Sequence, residues 1–136
     1  KNGLMMGEAV ITFRPELAEN LKYIRKQCAQ LYSKMRYVSC QFIPYLEQNI
    51  WKTNAEKANR MAKLLHDKIV EAGYNTFTQE TQANILLLKL PQELITKLLK
   101  NNFFYMWDEL QNEIRLVTSW DTTEADIDHF VSEMYE

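Results

Sequence analysis

One residue of this sequence, an arginine inside a hydrophobic strand, clearly requires a partner of opposite charge. The stretch Glu113–Trp120 reads Glu-Ile-Arg-Leu-Val-Thr-Ser-Trp. Alternation along a strand predicts that Ile114 and Leu116 point to one face of a sheet and Arg115 to the other. A guanidinium stays charged when it is desolvated, and its planar fork of donors fits a carboxylate bidentately. Arg115 therefore needs an anion, supplied either by the protein or by a ligand.

Two sources of that anion are open from the residues alone. The simpler one is an edge strand on which Arg115 pairs with a surface Asp or Glu, an arrangement that contributes little energy. Two other segments favour a ligand. One is Asp121–Ile127, which follows the strand, and the other is Lys1–Ala9 at the start of the chain, reading Lys-Asn-Gly-Leu-Met-Met-Gly-Glu-Ala.

The strands that would position Arg115 are predicted from hydrophobic patterning. Ile85–Leu90 is predicted as a strand, and its continuous apolar run Ile85–Leu88 is typical of a strand covered on both faces. Phe103–Trp107 and Ile114–Thr118 flank a turn at Asp108–Asn112, so we expect them to pair as antiparallel strands. Tyr74–Phe77 is a further candidate strand.

Helices are predicted on either side of these strands. Thr53-Asn54-Ala55-Glu56 has the form of a capping box, which predicts that a long helix starts there. Gly73 is expected to end that helix, since glycine tolerates the left-handed conformation. A short helix follows Pro91, and Thr123 with Asp126 is expected to cap the last helix.

The first fifty residues predict one strand and two helical stretches. Ala9–Phe13 is β-branched and predicts a short strand, which Pro15 stops before helical spacing begins. Tyr32–Gln48 predicts a second helical stretch, with a kink or a fresh start at Pro44. The complete order predicts an α+β fold: a small, mostly antiparallel sheet with helices on one face, preceded by long helices.

Composition narrows the class of protein. The chain has 136 residues, 46% of them hydrophobic and 25% charged, with a formal charge of −2. This near-neutral balance gives no electrostatic argument for nucleic acid or a membrane surface as a partner. Two cysteines, Cys28 and Cys40, are expected to be buried free thiols in a reducing, cytoplasmic compartment. They and two histidines predict no structural zinc site and no other metal site.

Three blocks of sequence occur in the same order as in a known family. Lys1–Ala9 is similar to the segment that follows a cofactor-binding lysine there. Asn84–Pro91 reads Asn-Ile-Leu-Leu-Leu-Lys-Leu-Pro, and Ile114–Thr118 is followed by Asp121 and Asp126-Ile127. Together these blocks resemble the threonine aldolases, within the aromatic and β-eliminating lyases of fold-type I pyridoxal-phosphate (PLP) enzymes. Such a match also predicts that the chain, which starts at Lys1 without an initiator Met, is the C-terminal part of a longer polypeptide.

Two departures from the common family pattern place the chain in a divergent branch. Ser119-Trp120 stands where many members carry a His after the Thr. Tyr32-Ser33-Lys34-Met35-Arg36 replaces a glycine-rich segment that ends in Met-Arg. The identity of the substrate is therefore less firmly implied than that of the cofactor.

The resemblance implies roles for four residues. Lys1 matches the lysine that binds PLP as a Schiff base and so serves in both catalysis and cofactor binding; alone, it would be an ordinary surface charge. Arg115 matches the arginine that binds the α-carboxylate of the amino-acid substrate. Lys34 and Arg36 fall near basic residues that approach the PLP phosphate, with a solvated helix face as the alternative for both.

The resemblance also implies the organisation and the reaction. Residues 1–50 would be the end of the large PLP-binding domain with connecting helices, and residues 51–136 the C-terminal small domain. The reaction would be cleavage of L-threonine or L-allo-threonine type β-hydroxy-α-amino acids to glycine and an aldehyde. Implied partners are the N-terminal part of the same enzyme and further copies, as a homodimer or homotetramer. This chain alone would be inactive.

Two other functions remain open from the sequence. One is a different fold-type I PLP reaction on the same scaffold, such as β-elimination or amino transfer. The other is a non-catalytic α+β module whose apolar helices bind a partner protein.

Overall fold

The computed structural model describes residues 2–135, and the chain forms two compact units, Lys1–Trp51 and Lys52–Glu136. The first unit holds four short helices, and the second holds a three-stranded sheet with three helices. The elements are α1 (Pro15–Ala18), α2 (Leu21–Gln27), α3 (Arg36–Ser39), α4 (Phe42–Glu47), α5 (Ile50–Glu71), β1 (Ile85–Lys89), α6 (Gln92–Leu98), β2 (Tyr105–Asp108), β3 (Glu113–Val117) and α7 (Glu124–Tyr135).

The predicted helix over Tyr32–Gln48 is divided into α3 and α4. Lys34 has a left-handed backbone with φ of 60°, which interrupts helix formation before α3 begins at Arg36. Pro44 lies in the first turn of α4, where a missing N–H costs no helical hydrogen bond. Because α4 begins at Phe42, two residues before Pro44, the alternative of a fresh helix start is confirmed and that of a kinked continuous helix is wrong.

Two other expectations for the first unit are wrong. Ala9–Phe13 forms no strand, and within residues 2–135 no other segment pairs with its backbone. β-branched residues favour a strand only where a neighbouring strand completes the hydrogen bonds. Cys28 and Cys40 are free but exposed, because each lies just beyond the C-terminal end of a short helix.

Helix α5 starts three residues before the predicted capping box. Asn49, with φ of 55°, separates it from α4, and Ile50 is its first residue. Thr53 is therefore inside the helix, and a Lys52–Glu56 pair at 3.8 Å lies along its first turns. The helix ends as expected at Gly73, whose φ is 93°, and the Tyr74 N–H donates to the Ile69 carbonyl at 3.1 Å.

The sheet is antiparallel with strand order β1-β3-β2. Leu87 pairs with Arg115 across the first ladder, and Tyr105 pairs with Arg115 across the second. The segment predicted as a strand at Tyr74–Phe77 contributes one isolated bridge, between Phe77 and Leu88. The predicted strands at Ile85–Leu90 and Ile114–Thr118 and the turn between β2 and β3 are confirmed. The strand predicted at Phe103–Trp107 begins two residues later, at Tyr105, and ends at Asp108.

One face of the sheet packs against α5, α6 and α7 to form the core. Ile114 and Leu116 of the middle strand are buried there, with relative exposures of 0% and 6%. Thr123 caps α7 as predicted: its N–H and hydroxyl donate to the Asp126 carboxylate at 2.8 and 2.7 Å. No helix among residues 2–135 has the length and apolar character needed to cross a lipid bilayer.

Replacing Ile114 by Ala is expected to lower the free energy of unfolding of this chain by about 2–5 kcal/mol, because it leaves a cavity in the centre of the core. Urea denaturation measures this change. Leu110, which is 98% exposed, provides the control: Leu110→Ala should change the same quantity by no more than about 0.5 kcal/mol. Equal losses in both variants would show that Ile114 is not a core residue.

Candidate functional site

Arg115 lies on the middle strand of the sheet. β3 pairs with β1 on one side and with β2 on the other, so the edge-strand alternative is wrong. The alternation predicted from the sequence is confirmed: Ile114 and Leu116 face the core, and Arg115 lies on the opposite face, partly buried.

The face of the sheet around Arg115 is otherwise mainly apolar. Leu87 and Tyr105 flank Arg115 in register, the first 9% exposed and the second 57% exposed. By the same alternation, Ile85 and Val117 lie one pair further along the strands. The apolar and aromatic residues of this face are Ile85, Leu87, Tyr105, Trp107 and Val117, and Glu113 lies further along it at the start of β3.

Trp107 is the aromatic side chain that contacts the guanidinium. Arg115 Cζ lies 5.9 Å from the centroid of the Trp107 ring, within the range of a cation–π interaction. This contact supplies a π-face but no negative charge. The guanidinium therefore still lacks an anion.

The nearest carboxylate in the strand is bound elsewhere. Glu113 lies two residues before Arg115 on the same face, but its carboxylate accepts a hydrogen bond from the Thr78 hydroxyl. Lys89, its partner across the ladder, donates to the Gln111 side chain. Among residues 2–135, no acidic side chain comes within 4.0 Å of the Arg115 guanidinium as an ion pair. The anion that Arg115 demands is not provided by the described part of the chain.

A cavity of about 430 Å³ adjoins Arg115. It is bounded by the last residues of β3, the residues before β2, and one side of α7. Arg115 is the sole cation among the described residues around it. Its walls are Leu65, Asn102, Phe103, Phe104, Tyr105, Arg115, Leu116, Val117, Thr118, Thr122, Asp126, Ile127 and Phe130.

Three of the other polar side chains of the cavity are already hydrogen-bonded. The buried Thr118 hydroxyl donates to the Ala58 carbonyl at 2.8 Å, and the Asn102 amide donates to Glu133 at 2.6 Å. The hydrogen bonds from Thr123 lower the pKa of Asp126 below its ordinary value of 3.8. Asp126 is therefore an anion committed to the helix cap, and it forms no ion pair with Arg115.

The predicted cofactor residues belong to the first unit. Lys1 lies outside the described residues. Lys34 and Arg36 are both exposed, and neither forms an ion pair with a described residue. The requirement for glycine at Gly7 has a local cause, because an added Cβ would lie 2.9 Å from the Phe42 ring at a φ of 137°.

Two features of the site were missed by reasoning from the sequence. Trp107 was predicted only as the last residue of the strand Phe103–Trp107, and the bond between Thr78 and Glu113 joins residues 35 positions apart. Neither carries a local sequence signal, because both depend on how β1 and β2 align with β3. The alternation that located Arg115 also indicates that odd-numbered strand residues share its face.

Comparison with known proteins identifies the family. No protein-family model matches the chain. It is 32% identical over 122 residues to the low specificity L-threonine aldolase of Pseudomonas aeruginosa, a match that covers 90% of this chain and 35% of that protein. The enzyme of the same name from a Pseudomonas sp. is 32% identical over 125 residues, covering 92% and 36%. This chain belongs to the threonine aldolase family.

The fold agrees with that family. A solved structure of Leishmania major threonine aldolase matches with a TM-score of 0.73 and 24% identity, covering 85% of this chain and 34% of that one. This likeness confirms the expected α+β fold of a C-terminal fold-type I domain. The chain spans about a third of the length of the curated threonine aldolases that it matches.

The lowered pKa of Asp126 predicts a contribution to acid sensitivity. The group stabilises the folded state above its unfolded pKa, and this contribution is lost as the pH falls through the lower, folded pKa. We expect Asp126→Asn to flatten the dependence of unfolding free energy on pH below about 4. Urea denaturation at several pH values measures it, with Asp121→Asn as the control. An unchanged slope in Asp126→Asn would contradict the assignment.

Proposed function

We propose that the complete protein to which this chain belongs is a PLP-dependent aldehyde-lyase. It would cleave L-threonine or L-allo-threonine type β-hydroxy-α-amino acids to glycine and an aldehyde, and this chain would be its C-terminal part. The support comes from two relatives named low specificity L-threonine aldolase, each matched over about 90% of this chain. On this proposal residues 1–50 belong to the end of the large domain, and residues 51–136 form the small domain.

The observation that carries the proposal is the uncompensated charge of Arg115. A guanidinium on a middle strand, among apolar and aromatic neighbours, has no acidic partner in the described chain. A substrate carboxylate would supply that anion through two parallel hydrogen bonds. Two bonds fix the rotation of the amino acid as well as its position, which is a large part of what an active site contributes to the rate.

The residues assigned to the cofactor have suitable chemistry. PLP carries a phosphate, for which the exposed cations Lys34 and Arg36 are suitable donors, and an aldehyde, for which a lysine amine such as Lys1 is the usual protein partner. When bound, PLP supplies an electron sink for the negative charge that develops at the α-carbon. The chain assigns no residue to removal of the β-hydroxyl proton.

A site of this kind needs more than the present chain. We propose that the remaining groups come from the N-terminal part of the enzyme and from a second subunit, in a cytoplasmic homodimer or homotetramer. The chain alone is then inactive. Its inactivity is checked by assaying it beside the complete protein under identical conditions with added PLP.

Replacing Arg115 by Ala in the complete protein should raise the KM for L-threonine by about ten- to a hundredfold, since a charge-assisted hydrogen bond contributes about 1.5–3 kcal/mol. PLP absorbance should be retained, because the residue contacts the substrate. Arg115→Lys should give an intermediate KM, as it keeps the charge and loses the bidentate fork.

Arg60 supplies the matched control, because it is an exposed arginine on α5. Arg60→Ala removes the same charge and should leave the KM unchanged. Release of acetaldehyde from threonine supports the aldolase reaction, whereas keto acid or ammonia from other amino acids would indicate a different fold-type I reaction. A KM that stays constant in Arg115→Ala would refute the carboxylate assignment.

A further inference from the structure

We propose that Trp107 is a positioning residue for Arg115: its ring holds the guanidinium in the orientation in which the donor fork can meet a carboxylate. The nature of the anion rests on the function proposed above. The contact between the two side chains does not, because it involves only residues of this chain.

The position of Trp107 results from an irregularity in the sheet. Tyr105 pairs with Arg115 and Met106 with Ile114, but the next pair joins Asp108 to Glu113, so that Trp107 is an extra residue in β2. Such a β-bulge bends its strand and redirects a side chain. This bulge lies next to Arg115, whose side-chain orientation decides whether its donors can meet a carboxylate.

The Trp107 side chain is exposed and does not belong to the hydrophobic core. Its relative exposure is 58%, and it is not part of the hydrophobic cluster beneath the sheet. Packing in that cluster therefore does not fix the position of the ring. The interaction that the structure shows is with Arg115, at 5.9 Å from the ring centroid.

A flexible arginine in this place would have a competing partner. Glu113 lies two residues earlier on the same face, about 6.6 Å along the strand, which is within reach of two long side chains. Thr78 restrains its carboxylate from one side. The contact with Trp107 restrains the guanidinium of Arg115. Together the two restraints keep Arg115 apart from Glu113, so that Arg115 can bind an external anion.

The direct test of the contact is NMR of the complete protein. A proton near the face of an indole ring is shifted upfield, so the Arg115 Nε–H resonance should move downfield in Trp107→Leu and stay close to its original position in Trp107→Phe. Trp51→Leu, which removes another partly exposed tryptophan, should leave it unchanged. An Arg115 resonance that does not respond to Trp107→Leu would overturn the proposal, whatever reaction the enzyme catalyses.

The test of the role is a double-mutant cycle in the complete protein. Trp107→Leu should raise the KM for L-threonine by about two- to fivefold with little change in kcat, as expected for an exposed cation–π pair, and Trp107→Phe should restore most of the affinity. In the Arg115→Ala background, Trp107→Leu should have no further effect.

Two failures can be told apart in this cycle. If Trp107→Leu raises the KM equally with and without Arg115, the tryptophan acts independently and the positioning role is wrong. If Arg115→Ala itself leaves the KM unchanged, the carboxylate assignment is wrong, and the NMR result decides whether the contact exists.

Discussion

The structure depends on one constraint: a permanently charged guanidinium is held on the middle strand of a small sheet with no anion from the described chain to pair with it. Desolvating a charge is costly unless it is paired. Partial exposure reduces that cost for Arg115, because its side chain is not fully removed from water. The same exposure leaves the guanidinium accessible to a small anion.

The fold gives Arg115 a fixed place and controlled neighbours. Ile114 and Leu116, buried on either side of it in sequence, fix the strand against the helices, so that the arginine has to face the other way. The bulge in β2 brings Trp107 to the guanidinium, and Thr78 binds the one carboxylate within the strand that could neutralise it. Core packing, strand irregularity and a side-chain hydrogen bond thus act on a single residue.

The sequence was most informative where hydrophobic patterning and local signals agree. The run Leu86–Leu88, the cap of Thr123 and the glycine after α5 each fix a local conformation, and each was predicted. Ala9–Phe13 failed because strand propensity needs a partner strand, and the box at Thr53 failed because Asn49 had already allowed the helix to begin. Trp107 could not be assigned, since a bulge depends on the register between strands. The alternation around Arg115 was sufficient to place it on its face of the sheet, whereas its role in binding a carboxylate is a proposal.

The most direct test is a crystal structure of the complete protein with glycine, the amino-acid product of the proposed reaction. The account predicts that both carboxylate oxygens accept hydrogen bonds from Arg115, at about 2.7–2.9 Å, while Glu113 remains bound to Thr78. A glycine carboxylate bound by other residues, with the Arg115 guanidinium in solvent or paired with Glu113, would contradict it.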